Sequence, residues 1–222
     1  MNSPANFDSL ILDGLLVDWL GALKAHSVEA IIVLGPSLSG SVLQRTVLAV
    51  YPPRLLNTAQ ALADSDEFGY DWHASGSPMV AWQNISRAVH ADLSRWRLSA
   101  LAHGVQSMVR VEFSLPRSRA FECFLLTAQA MHDRSEAAAV VWSTLNIWPK
   151  IKRAIGDVVS PLSPREKECL ALAFDGLTAA DTAKRLDCSE RTVTYHLANA
   201  MRKLQVDSKL AAVERACWCG VI

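Results

Sequence analysis

The regular punctuation of residues 162–222 limits the fold of this chain more than any other feature. Ser163-Pro164-Arg165-Glu166 sets a capping serine, a proline at the first helical position and a glutamate three residues after the cap. That order opens a helix, which runs to about Phe174, buries Cys169, Leu170 and Ala173, and stops at Asp175-Gly176. Thr178-Ala179-Ala180-Asp181 opens a second, shorter helix packed through Ala183 and Leu186. Ser189 caps a third, and Ser208 a fourth whose Leu210, Val213 and Cys217 form one apolar stripe. Helices this short bury their stripes only against one another, so the segment predicts a small all-α domain.

The third helix, Glu190 to Leu204, has an unusual outer face. Val193, Leu197, Ala200 and Leu204 recur at helical spacing and point inward. Opposite them lie Arg191, Thr194, Tyr195, Ala198, Asn199 and Arg202, with Thr192, His196 and Lys203 on the flank. Small, hydrogen-bonding and cationic side chains on one stripe suit base edges and phosphates. Such a helix behind a helix and a tight turn is how a helix-turn-helix enters the major groove. Ser163, Thr178 and Ser189 read equally well as caps alone, and Arg202 and Lys203 as a solvated face.

Over Leu162 to Ile222 the segment resembles the C-terminal DNA-binding domain of the LuxR family, also called the GerE or NarL-type helix-turn-helix. The resemblance rests on "LSPRE" with Glu166, on Gly176 followed by "TAADTAKRL", and on "SERTVTYHLANAMRKL" through to "GVI". It implies phosphate contacts from Thr178, Ser189, Thr192, His196 and Lys203, and base reading by Thr194, Tyr195 and Ala198. Arg191, Asn199 and Arg202 join from the helix face alone. The resemblance also implies double-stranded DNA as partner, a pseudo-palindromic site, and pairing of two domains through the fourth helix.

Composition excludes more than it identifies. Half of the 222 residues are apolar, enough to bury a sizeable core, and the length suits two domains. Lys and Arg balance Asp and Glu at 22 each, and residues 161–222 hold nine cations against eight anions. Long-range steering toward DNA is therefore modest. The five cysteines form no CxxC pair and no zinc spacing, so neither a metal nor a disulfide framework is expected. The six histidines have no partner at telling spacing, and no Ser-His-Asp set or phosphate loop is readable; no catalysis and no cofactor are expected. No secretory pattern or spanning apolar run is seen, which predicts a cytoplasmic protein without a membrane partner.

The preceding residues mix helical and strand periodicities. Asn6 to Ala25 reads as an amphipathic helix with Leu10, Ile11, Leu15, Leu16, Trp19, Leu20 and Leu23 on one broad face. Val28 to Leu34 is a β-branched strand ended by Gly35-Pro36, and Pro52-Pro53 opens a helix to about Ala63. Asp64 to Gly76 is polar and irregular, Met79 to Trp82 reads as a strand, and Ser86 to His103 as helical. Val105 to Phe113 and Arg119 to Leu126 form a hairpin around residues 115–118. A last helix runs from Arg134 to about Trp148, where Pro149 ends or kinks it. The expected architecture is α+β: an α-β-α sandwich with an antiparallel sheet over residues 1–155, a linker at 156–161, and the helical domain at 162–222. A phosphorelay receiver fits poorly, because the first strand ends in Leu-Gly-Pro rather than an acidic pair.

The order of elements is similar to the autoinducer-binding domain of LuxR-type quorum-sensing regulators, carried by Tyr51-Pro52-Pro53, Trp82, "ALAHGV" at 100–105 and the hairpin after it. Here the polar pocket positions of that family depart from its pattern. Leu55 stands at the pocket tryptophan and Ala59 at the tyrosine. The aspartate falls near Phe68-Gly69, with Asp64, Asp66 or Asp71 as substitutes if the loop shifts. A buried amide and lactone left without partners would cost roughly 1–3 kcal/mol per group. The expectation is therefore an orphan regulator. It is either independent of ligand, with its tryptophans packed as core, or a receptor for a non-standard small molecule in a pocket of Leu55, Ala59, Trp72, Trp82, Trp96 and Met108. An acyl-homoserine lactone receptor with a rearranged pocket stays open. So does, from another class, an interaction protein that heterodimerises with a quorum-sensing activator and inhibits it. A homodimer is the expected state of the regulator.

Overall fold

A computed structural model of the chain describes residues 7–36, 45–68, 79–85, 94–115, 119–218 and 221–222. The chain divides into two compact units, Met1–Ile151 and Lys152–Ile222. The first opens with helix α1 (Phe7–Leu23), a 3-10 turn (Lys24–His26) and strands β1 (Val28–Pro36) and β2 (Arg45–Tyr51). A second 3-10 turn (Pro53–Leu55) leads into α2 (Leu56–Ala63), followed by β3 (Val80–Asn84) and α3 (Arg95–Ala102). The hairpin β4 (Ser107–Leu115) and β5 (Arg119–Thr127) precedes α4 (Arg134–Val159). The remaining helices are α5 (Pro164–Phe174), α6 (Ala179–Leu186), α7 (Glu190–Lys203) and α8 (Lys209–Trp218).

The five strands form one antiparallel sheet in the order β2-β1-β5-β4-β3. Because side chains alternate along a strand, the register sorts them into two faces. Ala30, Leu126 and Met108 are opposite one another, as are Ile32, Phe124 and Arg110, and then Leu34, Glu122 and Glu112. This face is covered by α2 and α3, whose Ala59, Leu62, Trp96 and Ala100 complete a core with Leu55, Phe68 and Ile85. The other face presents Ile31, Leu125, Val109 and Trp82. There Trp148 of α4 stacks on Phe113 at 4.2 Å between centroids and lies 5.2 Å from Phe121. Trp19 of α1 donates through Nε1 to Ser143 Oγ at 3.1 Å, tying the two helices of this layer together. The α-β-α sandwich read from the sequence is therefore the observed architecture.

Several local readings need correction. Strand β2 has no counterpart among the elements expected from the sequence. Its run Val47-Leu48-Ala49-Val50 lacks period-two alternation, and Val47 and Val50 are only half-buried. The broad apolar face of α1 is narrower than expected. Leu12, Leu16, Trp19 and Leu23 are buried, whereas Leu10 and Ile11 face solvent. Pro149 does not end α4, which continues to Val159 and so includes residues 156–159 of the segment read as linker. The proline is exposed and follows Leu145, also exposed, so the carbonyl it leaves unbonded is open to water. Buried Thr144, Trp148 and Ile151 hold the turns on either side. Residues 86–93 of the segment read as helical lie outside the described residues, and the rest of it forms α3 (Arg95–Ala102) as read.

A buried ionic chain crosses the α2/α3 side of the sheet. Arg110, fully buried, donates from Nε to Glu122 Oε1 at 2.8 Å and from NH2 to Glu112 Oε2 at 2.6 Å. Arg45 donates to Glu122 Oε2 at 3.3 Å and to the Leu62 carbonyl at 2.7 Å, fastening the end of α2 to the sheet. The Arg110 guanidinium also lies 5.2 Å from the centre of the Phe68 ring. Charges out of water persist only when paired and hydrogen-bonded, and here each carboxylate accepts from an arginine.

Candidate nucleic-acid interface

The four caps of the C-terminal unit form as the sequence orders them. Glu166 N donates to Ser163 Oγ at 3.3 Å and Ser163 N returns a bond to Glu166 Oε2 at 2.7 Å, completing a capping box. Thr178 Oγ1 accepts from Asp181 N at 3.2 Å, Ser189 Oγ from Thr192 N at 3.1 Å, and Ser208 Oγ from Ala211 N at 3.1 Å. The turn between α6 and α7 is made by Asp187 in the left-handed region at φ 51°. An Asp tolerates that conformation better than most residues. Two small cores hold the unit: Cys169, Ala183 and Val193 in one, and Leu170, Ala200, Leu204, Ala212 and Ala216 in the other. Leu197 packs against both, so α7 is locked in rotation about its own axis.

That locking decides which side chains face outward. Arg191, Thr194, Tyr195, Ala198 and Arg202 are exposed, Tyr195 to 63%. Thr192, His196 and Asn199 are half-buried at the edges of this stripe. Thr194 Oγ1 donates to the Glu190 carbonyl at 2.9 Å, which turns its methyl group outward, and Arg202 donates to Asn199 Oδ1 at 3.0 Å. The Tyr195 and His196 rings meet edge to face at 5.7 Å. The stripe thus offers a forked guanidinium, a phenol, a methyl-bearing hydroxyl and a small apolar side chain, each with a natural counterpart on a base edge. Thr178 and Ser189 are exposed at the N-termini of α6 and α7, where free amides suit a phosphate.

Lys203 is placed differently from the other sequence candidates. Its Nζ donates to Glu166 Oε2 at 2.8 Å, so it ties the end of α7 to the start of α5. Burial disfavours ionisation of Glu166, but the bonds from Lys203 and from Ser163 outweigh it and hold the carboxyl below its ordinary range. Leu210, read as part of the inner stripe of α8, is 77% exposed, whereas Val213 and Cys217 of that stripe pack inward as read, joined by Ala212 and Ala216.

In the first unit, Leu55, Ala59, Trp96 and Met108 gather in the core between the sheet and α2/α3, each at most 1% exposed. Trp82 pairs with Val109 and so lies on the opposite face, away from them. Trp72 and Asp71 lie outside the described residues. Asp64 and Asp66 are exposed, and the described carboxylate of this loop that turns inward is Glu67, which the sequence reading missed. Glu67 Oε2 accepts from Trp96 Nε1 at 3.0 Å and from Arg97 Nε at 3.3 Å, and its other oxygen pairs with Arg97 NH2. Among the described residues no three His, Cys, Asp or Glu side chains gather as metal ligands, and no helix is long and apolar enough to cross a membrane.

Comparison with known proteins places the C-terminal unit. Residues 160–216 match the model of the GerE family, described as bacterial regulatory proteins of the luxR family. The transcriptional activator protein LuxR of Aliivibrio fischeri is 38% identical over 92 residues, which are 41% of this chain and 37% of that protein. The transcriptional activator protein AnoR of Acinetobacter nosocomialis is 33% identical over 95 residues, 40% of each chain. The matched stretch thus spans well under half the length of these relatives. Among solved structures, Escherichia coli SdiA aligns over 99% of this chain and 93% of its own, at 19% identity and a TM-score of 0.43. Within the C-terminal unit, residues 160–216 are thus similar to the luxR family of bacterial regulatory proteins.

Proposed function

We propose that the chain is a transcription regulator that acts in the cytoplasm, by binding rather than by turning over a substrate, and places α7 in the major groove of double-stranded DNA. The observation that carries this reading is the outward stripe of Arg191, Thr194, Tyr195 and Ala198 on a helix whose other side is fixed by Val193 and Ala200. One such helix reads only a few base pairs, so a second copy of the chain on a two-fold site supplies the remaining contacts, with half-sites about 10 base pairs apart. Exposed Leu210 on α8 and exposed Trp142 and Leu145 on α4 are apolar surfaces for that second copy to cover. The first unit carries the signal input, a small molecule entering the layer between the sheet and α2/α3.

The test is selection of a binding site from random duplexes with the full chain, then fluorescence anisotropy with Arg191→Ala and Tyr195→Ala. Each variant is expected to lose about 1–3 kcal/mol of discrimination at its own base pair. Its melting temperature stays at the parent value, because both side chains are exposed. If both bind the selected site as the parent does, α7 is not the reading helix.

A further inference from the structure

One end of the sheet, where β1 and β4 begin and β5 ends, carries a cleft of about 430 Å³. Its polar lining is His26, Ser27, Gln106, Gln129, His132 and Glu136, and none of it comes from α2 or α3. The walls are pinned by hydrogen bonds. Ala128 N donates to the Ser27 carbonyl at 3.0 Å, and Gln106 N to the Thr127 carbonyl at 2.8 Å. Asn84 Nδ2 donates to the Met131 carbonyl at 3.1 Å, and Met131 N returns a bond to Asn84 Oδ1 at 3.1 Å. Ser107 Oγ accepts from the same amide at 2.9 Å. Ser27, left-handed at φ 56°, turns the chain from the 3-10 turn into β1 and brings His26 to the rim. A concavity with walls held this way is preformed, as small-molecule sites of roughly 300–1,000 Å³ are.

The lining selects the chemistry of an occupant. An apolar molecule finds only Ala25, Ala130 and Met131 against it. Among the described residues the cleft is lined by one carboxylate and by no lysine or arginine, which disfavours an anion. His26, His132 and Glu136 do not gather as metal ligands. The remaining groups are of mixed sense. Each glutamine amide, and each imidazole when neutral, offers both a donor and an acceptor. Glu136, held by the bond from His132 N to its Oε2 at 3.0 Å, adds an acceptor. The two rings and the two amides take no part in the bonds that pin the walls. A hydroxyl group likewise donates and accepts at a single atom. From this match we infer that the cleft binds a neutral polyhydroxylated molecule, a sugar or a cyclic polyol, at a site apart from the α2/α3 layer. Its occupancy needs neither α7 nor DNA, so its failure leaves the DNA-binding reading untouched.

The experiment is isothermal titration calorimetry and saturation-transfer NMR of the full chain with glucose, maltose and myo-inositol, and with inorganic phosphate as the anionic contrast. Sugars stabilise any fold at high concentration by exclusion from its surface, so saturable binding is read rather than a melting shift. The expected result is saturable binding of at least one of the three hydroxylated probes and none of phosphate. Gln106→Ala and Gln129→Ala each remove one donor and one acceptor and weaken that binding about 3- to 10-fold. The double variant weakens it about 10- to 100-fold. Both side chains are exposed, so the melting temperature stays at the parent value. No saturable binding of any of the three, an unchanged affinity in the double variant, or binding of phosphate in their place overturns the assignment.

Discussion

Replacing Glu166 with alanine tests whether the second unit depends on a clamp that the outer face of α7 does not reveal. The Glu166 side chain is 5% exposed and accepts from Ser163 N at 2.7 Å and from Lys203 Nζ at 2.8 Å. Loss of the backbone bond costs about 1 kcal/mol. The bond to lysine is worth about 1 kcal/mol more, less than a fully buried charged bond, since Lys203 is 34% exposed and recovers water when released. A total of about 2 kcal/mol lowers the melting temperature of a unit this small by roughly 8–16 °C. Glu166 is held below its ordinary value of 4.5, so the stabilisation is present above that pH and is lost as pH falls through the lower folded value. Circular dichroism melts between about pH 7 and pH 3 read this, with hydrogen exchange of the α5 and α7 peptides assigning the loss to this unit. Parent and variant should converge as the pH drops. An equal melting temperature at neutral pH, or a gap that does not narrow in acid, refutes the clamp.

The same geometry predicts that Lys203→Ala lowers the melting temperature. It should change the slope of log affinity against log salt by less than the roughly 0.9 expected for a lost phosphate contact, as read by anisotropy at several salt concentrations. In the first unit, Arg110→Met or Glu122→Leu alone leaves its partner charge buried and should cost about 3–5 kcal/mol in urea unfolding. The double variant should recover part of that loss, and strictly additive losses would show the pair is not coupled. Burial, reinforced by the neighbouring Glu122 charge, pushes the Cys123 thiol far above its ordinary range. Native protein should therefore be alkylated at exposed Cys188 and not at Cys123, and mass spectrometry of the labelled peptides checks this.

The C-terminal unit was legible residue by residue because its determinants are local. Caps, a proline at the first helical position and a left-handed turn act within four residues, and helical spacing alone separates Val193 and Ala200 from Tyr195 and Arg191. The one misplaced residue, Leu210 on α8, sits where a short helix has no second turn before it to set the phase.

In the first unit the pattern predicted the elements better than their partners. The hairpin β4/β5 and helix α2 were read within a few residues, because alternation and proline signals are local. The edge strand β2, half-buried and without alternation, was not. Pro149 was read as an end or a kink because its missing amide is a local fact; burial of Thr144, Trp148 and Ile151 around it is not. The same holds for the pocket. Leu55, Ala59, Trp96 and Met108 share a core, but which face of the sheet Trp82 joins depends on register, and a shift of one residue reverses it. Glu67 with Arg97, and Arg110 with Glu122, were unreadable as pairs.

By itself, then, the sequence determined what nearest neighbours decide: the helices of the second unit, the outer face of α7, and the mixture of strands and helices before it. Only the tertiary structure decided that Lys203 serves Glu166 and that Trp82 faces away from Trp96. Those outcomes rest on contacts between residues far apart in the chain. The cost of burying a charge or a donor there depends on a partner that no local pattern names.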